Sequence, residues 1–307
     1  VCSSDLINQK NEKTMKNGLI LCWVGLLALA TGCSREDEAL MDGRPTLSLT
    51  TRVEAATRAT DLAFEQGDQF GLVVLNRTGD EAPSLDGVRY FNNGLCTQTA
   101  EGVEMSTVKY PEQAVDLYAY YPYREDFTQG RSFVFTVEPD QSVGRNYTNS
   151  DLMSAVRQNV SPTDDPVVLT FAHRMSRLDV VLQPGEGFTS ADELAGATVT
   201  VKQVLSSCEF DLGSGLTSRA DTPVDMIPSG NGAVVAGNAT EPMRLLVVPQ
   251  TLPAGETLFE IALEGETFLY VPDSELLLEG GRFYRFEIRL NRAAASTTSA
   301  RISSMPM

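Results

Sequence analysis

Apolar and polar residues alternate with period two along most of the chain, the spacing of half-buried strands, while helical periodicity is hard to find. "PTLSLTTRV" puts Leu47, Leu49 and Val53 on one face. "QFGLVVLN" (Gln69 to Asn76) reads as a fuller apolar strand. "AVDLYAYYPY" (Ala114 to Tyr123) reads as an aromatic-rich one that Pro122 ends. "RSFVFTV" sets Phe133, Phe135 and Val137 on one side, and "PVVLTFAHRMSRLDVVL" holds one long strand or two joined by a kink near His173. The pattern softens over "QPGEGFTSADELAGA", rich in Pro, Gly and small polar residues, which places a domain boundary around Gly187. It restarts with "ATVTVKQV" (Ala197 to Val204), "CEFDLG", "MRLLVVPQTL", "TLFEIALEGETFLYV" and "RFYRFEIRL". The last alternates most cleanly, with Tyr284, Phe286, Ile288 and Leu290 inward and Arg285, Glu287 and Arg289 outward.

Many short strands at close spacing, with Gly- and Pro-bearing turns, predict an all-β chain of two tandem β-sandwich domains, residues 59–186 and 187–292. "EGGR" (Glu279 to Arg282) reads as a hairpin turn whose glycines supply positive φ. Short helical pieces fit around "SDLMSAV" and "SADELAG". The tail 293–307, "AAASTTSARISSMPM", is low in apolar residues and is expected to be mobile.

The first residues carry a different pattern. From Met15, "MKNGLILCWVGLLALATGC" has a charged Lys16 and then an apolar run, Leu19 to Ala30, as a secretory signal does. The run is shorter than the ~20 residues a membrane span needs. It ends at Thr31-Gly32-Cys33, the pattern of a bacterial lipoprotein signal, although Ala30 stands where a larger aliphatic is preferred. Residues 1–32 are therefore expected to be leader and signal, and Cys33 the acylated N-terminus. Acidic Glu36, Asp37 and Glu38 follow, resembling the export signal of surface lipoproteins in the Bacteroidetes; a plain polar tether is the blander reading.

Of five cysteines, only Cys96 and Cys208 lie in the body of the chain. They form no disulfide framework or metal-binding spacing and read as small buried hydrophobes. A formal net charge of -17 argues against nucleic acid, whose phosphates would be repelled. The single histidine, His173, cannot build a multi-His zinc site, and no nucleophile-elbow pattern accompanies it, so it reads as structural, near a strand end. Asp164-Asp165 sits in the turn sequence "SPTDDP" rather than in a glycosidase pair. No Gly-rich phosphate loop is present. These readings point away from an enzyme and call for no cofactor or metal. The run Tyr118, Tyr120, Tyr121, Tyr123 has two readings: alternate rings in a core, or a sugar-stacking surface.

Three stretches together resemble the fimbrillin family of Bacteroidales, the subunits of type V pili. They are "VDLYAYYPY", then "SDLMSA" followed by "VVLTFAHRMSRLDVVL", then "LLVVPQTL" followed by "LEGGRFYRFEIRL". The resemblance runs from about Ala56 to Leu290. It implies a lipoprotein precursor at the outer membrane, two β-sandwiches of transthyretin-like, Greek-key topology, and a mature extracellular fimbrium serving cell adhesion. It also implies that an arginine-specific protease removes the N-terminal strand and that a strand from the next pilin subunit fills the groove. Residues 33–58 would then be lipidated tether and removable strand, with Leu47, Leu49 and Val53 inward. Arg58 matches the processing position best, and Arg52 is the runner-up. The tail departs from a stalk subunit's donor strand, since it offers only Ile302, Met305 and Met307; "RFYRFEIRL" swinging out is the other source. Stalk, tip, accessory and anchoring roles stay open. The reading from another class is a monomeric surface lipoprotein that binds glycans or a host protein.

Overall fold

The computed structural model describes residues 43–54, 63–217, 222–230, 232–235, 239–292 and 299–307. Cys33 and Arg58 lie outside the described residues. The chain is all-β, as its period predicts. A seven-stranded sheet takes the order β1 (Leu49–Val53), β8 (Val167–His173), β7 (Met153–Val160), β5 (Val115–Tyr121), β2 (Gln69–Asn76), β3 (Phe91–Gln98), β4 (Val103–Met105). The β1–β8 pair is parallel; the other neighbours are antiparallel.

Two four-stranded sheets make up most of the rest. One is β16 (Met243–Val247), β9 (Ser176–Pro184), β21 (Arg282–Leu290), β22 (Ser299–Pro306). The other is β13 (Val224–Met226), β10 (Thr198–Val204), β18 (Phe259–Leu263), β19 (Glu266–Tyr270). Phe286 of the first meets Phe259 of the second edge-on at 4.9 Å between ring centroids, so the two sheets share a core. Smaller sheets join β12 (Gly215–Thr217), β11 (Ser207–Asp211) and β6 (Ser132–Thr136), then β14 (Val234–Val235) and β15 (Ala239–Thr240), then β17 (Gln250–Leu252) and β20 (Leu276–Leu278).

Two cores result, and β5 lies between them. Val115, Leu117, Ala119 and Tyr121 face a smaller core within the seven-stranded sheet. Tyr118 and Tyr120 face a larger one that continues through Phe135 and Phe210 to Val180, Phe259 and Phe286. Tyr118, Tyr120 and Tyr121 are therefore all buried in the two cores, while Tyr123, past the end of β5, is half-buried. Asp116, fully buried on the same strand, is ion-paired to Arg77 at 2.8 Å.

The stretch around His173 is two strands in two sheets. β8 belongs to the seven-stranded sheet, while β9 pairs with β16 and, in parallel, with β21. Partners therefore change at Arg174–Met175, ahead of Gly187, and β6 pairs forward with β11. The Pro/Gly zone is packed rather than slack. A Cβ on Gly185 would collide with the Asn291 side chain and the Leu290 carbonyl. Gly187, at φ +85, would meet Arg292 Cβ at 2.7 Å.

Other expectations change too. "SDLMSAV" opens strand β7, because Met153 and Ala155 alternate into the smaller core; the helical turn α1 (Asn146–Asn149) comes just before it. "SADELAG" does form a 3-10 turn, Ala191–Leu194, with a capping box between Ser190 and Glu193. "EGGR" is no hairpin, since β20 pairs with β17 and β21 with β9, so the turn links two sheets. Gly281 still supplies the positive φ, +71. The tail is not loose over 299–306: β22 pairs antiparallel with β21 from Ser299 to Pro306. Main-chain pairing carries it, with Ile302 and Met305 left 38% and 37% exposed.

Gly185→Ala is expected to lower stability by about 1–3 kcal/mol through overpacking. Gly79→Ala, with nothing within 4 Å of the new methyl, should stay within about 0.5 kcal/mol. Urea unfolding midpoints check both; equal midpoints would mean that the 185–188 segment is not packed against the end of β21.

Candidate functional site

The seven-stranded sheet has two edges, β1 and β4, and the segment 44–54 reaches both. On one side its carbonyls and amides join β8: Val167 N–H donates to Ser48 O at 2.8 Å and Glu54 N–H to Phe171 O at 2.7 Å. Between these, Leu49 to Val53 run in register with Val167 to Phe171. On the other side the chain just beyond β4 is paired. Leu47 N–H donates to Val108 O at 2.8 Å and Tyr110 N–H to Pro45 O at 3.0 Å, around an antiparallel bridge between Thr46 and Lys109. Lys109 Nζ adds a bond to the Arg44 carbonyl at 3.1 Å. This segment therefore closes the seam of the sheet over the smaller core.

Side chains complete the closure. Leu47, Leu49 and Val53 are each 4% exposed and pack in the cluster that holds Phe70, Cys96 and Phe171. Burying the three is worth about 5–9 kcal/mol as an upper bound. By alternation Thr51 points the same way, and its hydroxyl donates to Gln98 Oε1 at 2.7 Å. The Gln98 amide donates to the carbonyls of Thr99 and Gly102 at 3.0 and 3.2 Å, which turns its Oε1 toward Thr51. Among the described residues, the buried Tyr110 hydroxyl beneath the segment has no hydrogen-bond partner. Beyond β1, burial lowers the pKa of the Arg174 guanidinium and the charge of Glu54 opposes that shift. Arg174 Nε donates to Ser154 Oγ at 2.8 Å.

The model described as "Fimbrillin-like" matches residues 57–304. The chain belongs to the fimbrillin-like family. A Bacteroides uniformis protein named as fimbrium subunit Fim1C is 30% identical over 305 residues, covering 93% of this chain and 94% of that protein. Among solved structures, a Bacteroides uniformis protein named as a cell adhesion protein aligns at TM-score 0.61 and 25% identity, over 85% of this chain and 99% of that one. Another cell adhesion protein so named, from Bacteroides ovatus, aligns at TM-score 0.65 and 17% identity, over 86% and 98%, and bears on the fold alone.

In this fimbrillin-like chain Leu47, Leu49 and Val53 come together as one apolar row. Arg52 points outward from the middle of β1, opposite Thr170. His173 ends β8 with Nδ1 2.8 Å from Asp151 Oδ1, a structural pairing. Cys96 and Cys208 are buried free thiols, pushed by burial up to about 12. They fall in different cores, Cys96 beneath the closing segment and Cys208 in the larger one. No group of three or more metal-ligating side chains occurs among the described residues. Gln98, Val108 and Tyr110 are the residues that the sequence did not point to. Their place opposite the closing segment is set by non-local pairing, which no local spacing signals.

Two outcomes follow from this geometry. Leu49→Ala should cost about 2–5 kcal/mol, the range for a large-to-small core change, measured by urea unfolding. It should also speed alkylation of Cys96 by iodoacetamide relative to Cys208. Equal acceleration at both thiols would mean that the segment seals no separate core.

Proposed function

We propose that this protein is a structural and adhesive subunit of a type V fimbrium, exported as a lipoprotein on Cys33 and made competent for assembly by cutting after Arg58. The observation that carries the reading is the closing segment, which hydrogen-bonds both edges of one sheet and buries an apolar row between them. Its loss would leave unpaired amides and open pockets that an added strand can satisfy. The family membership and the name of the Fim1C relative support a pilus role.

The pairing favours Arg58 over Arg52 as the processing position. Arg52 is held in the ladder with β8, so a protease would have to peel the strand off before it could cut there. The tail is also favoured over β21 as the strand given to a neighbour. Phe286, Ile288 and Leu290 of β21 are wholly buried between β9 and β22, and removing them would open the larger core. Among the described residues β22 is an edge strand, paired with β21.

Purified precursor treated with a trypsin-like protease should yield a new N-terminus after Arg58 and grow in size by light scattering. Arg58→Ala should block that growth and Arg52→Ala should not. A product cut after Arg58 that stays monomeric at high concentration would refute self-assembly. In cells, a radioactive fatty acid should label the wild type and not Cys33→Ala, since anchoring needs lipid on that thiol. Equal labelling would remove the lipoprotein step.

A further inference from the structure

We infer that a cleft at one end of the seven-stranded sheet binds an uncharged sugar residue, stacked on Tyr123 and hydrogen-bonded by Gln69, Arg145 and Asn149. The inference deepens the adhesive part of the reading above by naming a ligand class, and it needs no strand exchange. The cleft has a volume of about 350 Å³, at the small end of ligand pockets. The ends of β2 and β5 and the turn α1 build it. β2 begins there with Gln69, and β5 runs out there through Tyr121, Pro122 and Tyr123. Tyr123 N–H donates to Gln69 O at 2.9 Å, which carries the pairing past the end of β5 and seats Tyr123 beside Gln69. On the α1 side, Asn149 N–H donates to Arg145 O at 2.8 Å, so these two residues stand one turn apart on one face.

The polar groups of the cleft are positioned by the fold. Asp68 is 6% exposed, and its Oδ2 accepts from the Glu65 N–H at 2.8 Å. Its Oδ1 accepts from Arg145 Nη2 at 2.6 Å, with the Tyr121 hydroxyl 3.5 Å away. Arg145, its side chain 57% exposed, keeps further N–H donors for the cleft. The side-chain amides of Gln69 and Asn149 also line it, exposed and without a hydrogen-bond partner among the described residues. Of Tyr118, Tyr120, Tyr121 and Tyr123, only Tyr123 lies outside both cores.

Chemistry selects the ligand. A sugar hydroxyl both donates and accepts, and a side-chain amide offers a group of each kind. Amides beside a guanidinium can therefore hold neighbouring hydroxyls, while an amphipathic aromatic ring takes the C–H face of the sugar. Charge selects against an acidic sugar. Asp68 already neutralises Arg145, and the formal net charge of -17 repels anions.

The test is saturation-transfer difference NMR on the uncut precursor. The probes are methyl glycosides of glucose, galactose, mannose and N-acetylglucosamine, with methyl glucuronide as the acidic arm. At least one neutral glycoside should receive saturation, and the glucuronide should not. The dissociation constant should rise about tenfold in Tyr123→Ala and in Asn149→Ala. Tyr123→Phe should stay within about threefold of wild type, because the ring rather than its hydroxyl makes the contact. Gln69→Ala, at an exposed position, gives the same reading if Tyr123→Ala does not fold. No transfer to any neutral glycoside, transfer that survives these alanine substitutions, or a preference for the glucuronide would each overturn the inference. None of those outcomes bears on the pilus reading, which the cut after Arg58 tests. A precursor that binds the sugar but never assembles once cut would remove self-assembly and leave the sugar site standing.

Discussion

A sheet that curves over its own core has two edges to satisfy, and in this protein one short segment serves both. Residues 45–54 bond β8 on one side and the chain around Val108 on the other. The amides and the apolar row act together. Without Leu47, Leu49 and Val53 the hydrogen bonds would compete with water and contribute little net stability. Without the bonds the three side chains would have no fixed register. The smaller core, from Phe70 to Phe171, is covered by this segment through both the bonds and the side chains.

This closure is chemically separable from the rest. The larger core runs from Tyr120 through Phe210 to Phe286 and includes no residue of the closing segment. β5 is the shared wall, buried on both faces. Loss of the segment would therefore strip one face of the wall and leave the other packed, a condition for opening a groove without unfolding the subunit. Local opening of this kind belongs to the low-stability end of a fold's fluctuations. Tyr110 lies in the core on the side that would open.

What the sequence disclosed, and what it hid, divides along the range of the interaction. Strand identity is local: the alternation of Tyr284, Phe286, Ile288 and Leu290 reports burial directly, and all four are buried. Pairing is non-local, so neither the β8-to-β9 change of sheet nor the Thr51–Gln98 bond had a local signature. The tyrosine run left two readings open because period two marks one buried face, and β5 has two. β22 was hidden for another reason: edge pairing uses backbone, which every sequence carries, and Ile302 and Met305 stay 38% and 37% exposed. Gly185 and Gly187 looked like linker residues. Their absent side chains instead admit Asn291 and Arg292.

Tethering explains why a cut should be needed before any partner strand can compete. While joined to the chain, the closing segment returns to its seam at an effective concentration that is millimolar for short flexible tethers. A tail from another subunit, present at far lower concentration, loses to it even with equal contacts. Cutting does not weaken a single hydrogen bond or apolar contact of the segment. It converts an intramolecular strand into a separate peptide that, once dissociated, is diluted away. On the strand-exchange reading, the contest would then turn on contacts alone.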